Sequence, residues 1–496
     1  MRRILTLTLV TLAVAVSAVA APARATDTIV ANLLGPTPIL DDLRDLTDNV
    51  GGRPTGSPAM DKAIDWAMTR LKAAGADAVR AETYVAPRNW LPRVETAEVT
   101  SPRYDAQPAE RNQLRVAAMP FSPSTPAAGL EAEVVDVGRG DAKGFAKAKG
   151  RWALVHTEPM RSIEDLFGEY LATPAIVTNA HKVGAAGILW MSNRPRRLLY
   201  RHNATLDGSM SPLPGALIER EGAERIARLL ESGKHVTVRV TLAVDVQEHA
   251  SDRNVVAEIT GRDKPDEVIL LGAHLDSWDL GRGALDNGCN AALAIDVLRQ
   301  LAVLAKAGQR PRRTVRIVLF SGEELGLFGS WLDVRAHRAD LDKLRAAIIF
   351  DEGTGRTTGF SLGGRADLGP AVEQALAPVA GLGPFVQTAD AFMGTDNYDY
   401  LLEGVPNLVA NQDGAPYLAD YHGESDTFDK VDTRELKANA AIAGALVWAF
   451  ADADKPPAPR QTRAQVQAVV KATGLDVQMK TFSMWDEFAT GKRGRQ

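Results

Sequence analysis

The sequence predicts an α/β fold in which a mostly parallel sheet is covered by helices on both faces. Three short runs, 268–271, 314–320 and 346–350, are predominantly apolar, as is typical of strands buried on both sides. Helical patterns separate these runs. One of them places four apolar residues on a single helical face: Leu293, Val297, Leu301 and Leu304. Strands that alternate with helices favour parallel pairing.

The other elements are predicted from turn signals and periodicity. Residues 38–75 predict two helices around the Gly- and Pro-rich turn 49–58. Alternating residues predict edge strands at 78–85 and 94–100. Later patterns predict strands at 236–242 and 253–261 and helices at 325–337, 369–380, 395–403 and 432–450.

Residues 1–25 have the features of a secretory signal peptide. Arg2 and Arg3 precede an apolar run, and small residues mark cleavage positions after Ala20 or Ala25. We therefore expect export, either to the periplasm or as a secreted protein. No later stretch is long and apolar enough to predict a membrane span, so no membrane association is expected after the signal is removed.

The chain is predicted to divide into a split main domain and an insertion. The Pro- and Ala-rich stretch 104–130 indicates a connection into a smaller unit of alternating strands and helices. The predicted parts are a signal peptide at 1–25, a sheet domain formed by 26–104 and 247–454, an inserted domain at 105–246, and a C-terminal tail at 455–496 with one helix near 462–472.

Composition restricts the partners of the protein. The chain is 45% hydrophobic and 24% charged, as expected of a soluble globular protein. Loss of 1–25 removes three of the 57 basic residues and no acidic one, which leaves 54 against 62 and a net charge of −8. Neither nucleic acid nor an anionic membrane is therefore an expected partner. The single cysteine, Cys289, cannot form an intramolecular disulfide and is expected to pack in a helix.

The segment 272–290, which directly follows the first apolar run, contains four candidate functional residues: His274, Asp276, Asp279 and Asp286. Polar side chains at the carboxyl end of a buried strand can form a metal site. His274 and Asp276 stand two apart and can point the same way, which suits an imidazole oriented by a carboxylate. Asp286 precedes a helix, so an ordinary helix cap is the alternative for it.

The next strand ends carry the remaining candidates. Glu323 and Glu324 follow the run 314–320, where one carboxylate can bind a metal while the other acts as general base on a water molecule. The alternative is an acidic first helical turn. Asp351 ends the following strand, and His422 lies in a later loop.

Together these four loops resemble the co-catalytic zinc exopeptidases, the family that includes glutamate carboxypeptidase and the bacterial zinc aminopeptidases. Within this family, the motif His274-Leu-Asp-Ser-Trp-Asp279 and the segment from Tyr421 to Thr427 look most similar to the plasma glutamate carboxypeptidase group. The resemblance covers roughly residues 35–452. The insertion resembles a protease-associated domain through its segments Gly184–Ile188 and Pro214–Ile218.

The resemblance implies two Zn²⁺ ions per chain and a role for eight residues. These are His274 and Asp351 on one zinc, Glu324 and His422 on the other, Asp286 bridging both, Glu323 as general base, Asp276 as the acid that orients His274, and Tyr421 as a hydroxyl that stabilises the oxyanion. Asp396 matches a family loop near the substrate. Asp279 has no matching metal role and is expected to structure a turn.

The function implied is that of a zinc metallopeptidase that hydrolyses dipeptides or short peptides with a metal-activated water. Action at the amino or at the carboxyl end stays open, and the family also implies that a homodimer can form. A non-catalytic receptor or scaffold on the same fold and a single-zinc glutaminyl cyclase are the alternatives. Four arginines in the insertion form a basic cluster, one of which could hold a substrate carboxylate: Arg194, Arg196, Arg197 and Arg201.

Overall fold

The computed structural model describes residues 24–102 and 112–496, so the predicted signal peptide lies outside the described residues except for its last two. The helices are α1 (Ala25–Leu34), α2 (Ile39–Asp45), α3 (Pro58–Ala74), α4 (Ile163–Val183), α5 (Arg220–Glu231), α6 (Cys289–Lys306), α7 (Phe328–Ala336), α8 (Gly369–Leu376), α9 (Tyr398–Leu402), α10 (Gly414–Leu418), α11 (Thr433–Asp452), α12 (Arg463–Ala472), α13 (Leu475–Thr481) and α14 (Trp485–Ala489). The strands are β1 (Ala78–Ser101), β2 (Gln113–Leu114), β3 (Val116–Ala118), β4 (Leu130–Asp136), β5 (Trp152–Val155), β6 (Gly187–Met191), β7 (Gly215–Ile218), β8 (Thr237–Ile259), β9 (Lys264–His274), β10 (Arg313–Phe320), β11 (Leu344–Ile349), β12 (Thr357–Ser361) and β13 (Asn407–Gln412).

The main sheet has a parallel centre. Strands β13, β11, β9 and β10 lie side by side in parallel, and β12 and β8 flank them in antiparallel pairing. The three predicted buried strands are β9, β10 and β11, which are neighbours here. The α/β class is therefore confirmed, with a sheet that is mixed at its edges.

Helices cover both faces of this sheet because successive strand residues point to opposite sides. On one face, Ile269 and Ile317 pack in a core with helices α1, α2, α3, α6 and α11. On the other, Leu270 and Val318 pack against α7 and α9, where Val334 and Tyr400 contribute. Helix α1 was not predicted from the sequence.

Strands β1 and β8 are much longer than predicted. Each joins two segments that were expected to be separate strands, and the two pair antiparallel from Ala78↔Glu258 to Ser101↔Thr237. The predicted break in β1 was wrong because Pro87 and Pro92 lie on a strand with one largely free edge, where a missing N–H is tolerated. The pair forms a ribbon, the β1/β8 ribbon, that runs through both parts of the molecule.

A smaller sheet region extends from the far end of the β1/β8 ribbon. Strand β4 pairs with β8, and β4, β5, β6 and β7 follow in parallel, with β3 antiparallel at the edge. Helices α4 and α5 pack on opposite faces of this region. The boundary predicted at 246/247 falls inside β8, and the one at 104/105 falls among residues that are not described. The division into two domains stays a prediction.

Within the described residues, one helical stretch, 284–306, is long and apolar enough to cross a membrane by length and composition alone, so the expectation that no later stretch would pass this test was wrong. The protein buries 83% of its apolar window, as expected of a core helix.

The C-terminal tail is a folded part of the molecule. The helix expected near 462–472 is α12, and two further helices, α13 and α14, follow it. Tail residues such as Val466 and Met479 share a core with Leu327, which precedes α7, and with Tyr398 of α9. The segment is therefore packed against the helices of the main sheet rather than extended from them.

A buried ion pair anchors the end of this tail. Arg493 donates to both carboxylate oxygens of Asp399 in α9, at 2.7 and 2.6 Å. Its guanidinium also lies 4.8 Å from the ring centre of Trp331 and 5.2 Å from that of Tyr398.

Replacement of this arginine should loosen the tail. We expect Arg493→Met to lower the melting temperature by several degrees, since a buried carboxylate left without its partner costs about 3–5 kcal/mol. Thermal unfolding followed by circular dichroism measures the effect. Lys492→Met, at the exposed neighbouring position, is the matched control. Equal melting temperatures for the two variants would contradict the anchor.

Candidate metal centre

The candidate residues meet at the carboxyl edge of the parallel strands. His274 ends β9, Glu323 and Glu324 follow β10, and Asp351 follows β11. The loop after β13 and α10 brings His422 to the same edge. Neighbouring parallel strands end at one side of a sheet, so residues far apart in the sequence become neighbours in space.

Asp286 lies between two histidines. The Nε2 atom of His274 is 3.1 Å from Asp286 Oδ1 and 2.9 Å from Asp351 Oδ1. On the other side, His422 Nε2 is 3.3 Å from Asp286 Oδ2 and 2.8 Å from Glu324 Oε2. Two three-residue groups result, each with potential ligand atoms within 4.8 Å of one another, and both contain Asp286.

These groups have the chemistry of a zinc site. Histidine nitrogens and carboxylate oxygens are typical zinc ligands. All five side chains are buried. Asp286, Glu324 and Asp351 each have a buried oxygen that makes no hydrogen bond with the described residues. Buried carboxylate oxygens without donors are costly unless a cation satisfies them, so the residues present fit bound metal ions.

The electrostatics of the site favour bound cations. Burial raises the pKa values of Glu323 and Glu324 well above their usual range, because charged carboxylates are desolvated there. Burial opposes charge on His274 as well, yet Asp351 and Glu323 outweigh it and raise the pKa of this imidazole. The negative field that stabilises an imidazolium here would also stabilise a metal cation.

Each histidine is oriented through its second nitrogen. Nδ1 of His422 lies 3.1 Å from the carbonyl oxygen of Arg201, and Nδ1 of His274 lies 3.0 Å from that of Asp276. Both leave Nε2 facing the carboxylates. Burial lowers the pKa of His422 to about 4, so this imidazole is neutral at pH 7, the form that binds metals.

The Asp276 carboxylate has other partners. Its Oδ1 is 3.6 Å from His274 Nδ1, too far for a hydrogen bond. Oδ2 accepts a hydrogen bond from Thr55 at 2.7 Å, and the carboxylate faces the backbone N–H groups of Glu323 and Glu324, both at 3.4 Å. Asp276 therefore contacts His274 through its carbonyl and the turn of the two glutamates through its carboxylate.

Two buried residues that were given no role from the sequence hold the loop of Asp286. Asp426 accepts backbone N–H groups from Ala284, Leu285 and Asp286 at 3.0, 2.7 and 3.1 Å. Arg53, in the predicted turn 49–58, donates to the carbonyl oxygens of Leu275, of Arg282 at 3.0 Å and of Gly283 at 2.8 Å. Asp426 lies in the segment after His422 that resembles the zinc exopeptidase family. No sequence pattern predicts a role for Arg53.

The comparisons with known proteins identify the family of this site. The family model described as "Peptidase family M28" matches residues 254–447, which contain every residue of the two groups. The chain is thus similar to peptidase family M28 over the part that contains the site. Carboxypeptidase Q of Mus musculus is 29% identical over 417 residues, 83% of this chain and 85% of that protein. The Homo sapiens protein of the same name is 27% identical over 414 residues, 83% of this chain and 84% of that protein.

Solved structures agree with this assignment. A peptidase M28 precursor from Shewanella amazonensis SB2B superposes with a TM-score of 0.76 and 27% identity, covering 88% of this chain and 99% of that one. A zinc aminopeptidase from Bacillus subtilis shares the fold, with a TM-score of 0.65 and 17% identity over 83% and 93% of the two chains. The chain is a zinc metallopeptidase, and the scaffold alternative is disfavoured.

The cleft of this peptidase has two pockets, both lined by Glu323. The apolar pocket, of about 110 Å³, is lined mainly by Leu166, Leu206, Leu327, Met393, Phe482 and Met484. The acidic pocket, of about 80 Å³, is lined by His274, Asp286, Asp351, Glu352 and Tyr417 among others. Glu323, Tyr421 and His422 line both, so the two pockets form one cleft.

Tyr421 stands where the pockets meet. Its ring stacks on His422, with centres 3.7 Å apart, and its hydroxyl is 3.0 Å from that of Tyr170 in α4. Burial raises the pKa of Tyr421 well above 10, so the hydroxyl stays protonated. Gly394 lines both pockets, whereas Asp396, expected near the substrate, is fully buried and lines neither.

The basic cluster of the insertion does not face the cleft. Arg201 is buried between Glu95 and Asp279, with closest distances of 2.5 and 2.7 Å. Asp279 therefore pairs with Arg201 and belongs to neither ligand group. Arg194 is buried and donates to the carbonyl oxygen of Tyr421 at 3.2 Å. None of the four arginines lines either pocket, so a substrate carboxylate held there is not supported.

Cys289 and His337 belong to neither of the two ligand groups. Cys289 is buried, and its thiol donates to the carbonyl oxygen of Leu285 at 3.2 Å, as expected of a packing residue. His337 forms a separate group with Glu82 and Asp333 and hydrogen-bonds Glu82 at 2.7 Å. In the described residues, the two groups at the centre contain no histidine besides His274 and His422.

Asp426 provides a test of how the loop of Asp286 is held. Asp426→Asn should lower the affinity for Zn²⁺ roughly 10–100-fold. The carboxylate of Asp426 offers two acceptor oxygens to the three N–H groups, whereas the amide of asparagine offers only one. Competition with a chromophoric chelator measures the affinity. The exposed Asp65→Asn is the control. Unchanged affinity in Asp426→Asn would show that the loop holds its shape without this carboxylate.

Proposed function

We propose that the protein is a two-zinc exopeptidase that removes the amino-terminal residue from dipeptides or other short peptides. The observation that carries the proposal is the pair of ligand groups that share Asp286 at the floor of a two-pocket cleft. His274 and Asp351 would hold one ion and Glu324 and His422 the other. Bound zinc would polarise the scissile carbonyl and make a water molecule more acidic.

Glu323 is suited to move the proton. It lines both pockets, and its Oε2 lies 4.0 Å from His274 Nε2. As general base it would take a proton from the attacking water while the new C–O bond forms. It would then give that proton to the peptide nitrogen as the C–N bond breaks. Burial raises its pKa above the usual range of a carboxyl group, which makes it a stronger base toward the proton of the water molecule.

Tyr421 is placed to stabilise the carbonyl oxygen. Its protonated hydroxyl can donate a hydrogen bond to the negative charge that develops there. Tyr170 would hold that hydroxyl at the junction of the pockets.

The size of the cleft supports short substrates. Helix α4 contributes Ile163, Leu166, Phe167 and Tyr170 to its walls, so the smaller sheet region covers the cleft. The pockets on the two sides of Glu323 have room for about one residue each. A folded protein could not enter.

The charges of the cleft favour a free amino end. Among the described residues, no lysine or arginine lines either pocket, so a substrate carboxylate would have no cationic side chain to bind. Glu352, the carboxyl group of the acidic pocket that is neither a proposed metal ligand nor the general base, would instead stabilise an ammonium group. Export, homodimer formation and the lack of nucleic-acid or membrane partners remain expectations from the sequence.

The general base can be tested by one substitution. Glu323→Gln should lower kcat by about 10²–10⁴-fold and leave zinc content unchanged, because the amide cannot accept the proton. Steady-state kinetics and elemental analysis measure the two quantities, with the exposed Glu373→Gln as control. Retained activity, or loss of zinc, would contradict the role assigned to Glu323.

A peptide panel tests which end is recognised. Ala-Ala and Ala-Ala-amide should be cleaved, and acetyl-Ala-Ala should not, because acetylation removes the ammonium. A chelator should abolish all cleavage, and added Zn²⁺ should restore it. Product analysis by mass spectrometry distinguishes the cases. Cleavage of acetyl-Ala-Ala but not of the amide would identify a carboxypeptidase instead.

A further inference from the structure

The C-terminal tail reaches the reaction centre. Phe482 and Met484, which follow α13, line the apolar pocket together with Glu323 and Glu324. Both tail side chains are buried. A segment that lies outside the family-matched residues 254–447 thus forms one wall of the cleft.

The tail is held firmly enough to shape a pocket. The pair of Arg493 with Asp399 fixes its end, and Gln478 accepts the backbone N–H of Met393 at 3.0 Å. Met393 itself lines the apolar pocket. The wall is therefore tied to the main domain on both sides of Phe482 and Met484.

The pocket selects by size and polarity. Leucine, methionine and phenylalanine side chains make up much of its lining, and its carboxylate and imidazole groups are those of Glu323, Glu324 and His422. A cavity of roughly 150 Å³ can hold benzene. The apolar pocket, at about 110 Å³, suits the smaller aliphatic side chains of valine, leucine or methionine.

The position of this pocket relative to the acidic pocket assigns it to one substrate residue. If the substrate ammonium lies in the acidic pocket, the scissile carbonyl lies over the two ligand groups beside Glu323. The chain then continues on the side of Glu324 and His422, where the apolar pocket opens. The side chain there belongs to the residue that follows the scissile bond.

We propose that the C-terminal tail forms the binding pocket for this second residue, and that Phe482 and Met484 make the enzyme prefer an aliphatic side chain there. The proposal rests on the function proposed above. It assigns the tail a direct part in substrate selection.

Two dipeptide series test the proposal. The series Ala-X varies the second residue and the series X-Ala the first, with X as glycine, alanine, leucine or phenylalanine. The native enzyme should prefer Ala-Leu to Ala-Ala and to Ala-Phe. In Phe482→Ala and in Met484→Ala, the ratio of kcat/KM for Ala-Leu over Ala-Ala should fall at least about 10-fold, because apolar contacts are lost. The corresponding X-Ala ratio should change less than about 3-fold.

The controls separate selection from stability. Ratios measured in one preparation do not depend on the fraction of active enzyme, and either tail variant alone suffices if the other does not fold. Val477→Ala changes a 60% exposed residue of α13 and should leave both ratios unchanged.

Three results would count against the proposal. Unchanged Ala-X ratios in an active tail variant would overturn it and leave the proposed function intact. A fall confined to the X-Ala series would overturn the assignment to the second residue. Failure of the zinc-loaded native enzyme to cleave any dipeptide would overturn the proposed function and this inference with it.

Discussion

The crowding of four carboxylates, three of them buried, around two imidazoles is the constraint on which the rest of the structure depends. Asp286, Glu324 and Asp351 are buried, Glu323 is partly buried, and the four come from three separate loops. Such an arrangement is unfavourable unless positive charge compensates it. The fold must therefore hold these groups in place against their mutual repulsion, and it must leave room for the cations that neutralise them.

Hydrogen bonds to the backbone keep much of the site in place. Arg53 binds carbonyl oxygens and Asp426 binds N–H groups on the same loop, so the loop is fixed from both sides without using the side chains that face the cleft. The carbonyl of Arg201 orients His422. Asp286 is thus positioned by residues around the main sheet, and His422 by a residue of the smaller sheet region. The two regions therefore depend on each other at the candidate metal centre.

The sequence predicts the ends of the parallel strands well and their supports poorly. His274, Glu324 and Asp351 follow apolar runs whose parallel order brings their ends together, so their convergence is a consequence of topology. Arg53 looks like part of a turn because its partners lie more than 200 positions away. The docking of Phe482 into the cleft is equally invisible, since a helical pattern shows that a helix forms but not what it packs against. The prolines of β1 also led to the wrong prediction that this strand is interrupted.

The β1/β8 ribbon bears on how substrates could enter. A domain attached through short loops can rotate about a hinge. The smaller sheet region, which covers the cleft, is instead joined to the main sheet by two strands paired over more than twenty residues. Paired strands bend and twist along their whole length and do not fold sharply at one point. Opening of the cleft would therefore be a gradual bending of the ribbon, in which Tyr170 and Arg201 move together with the smaller sheet region.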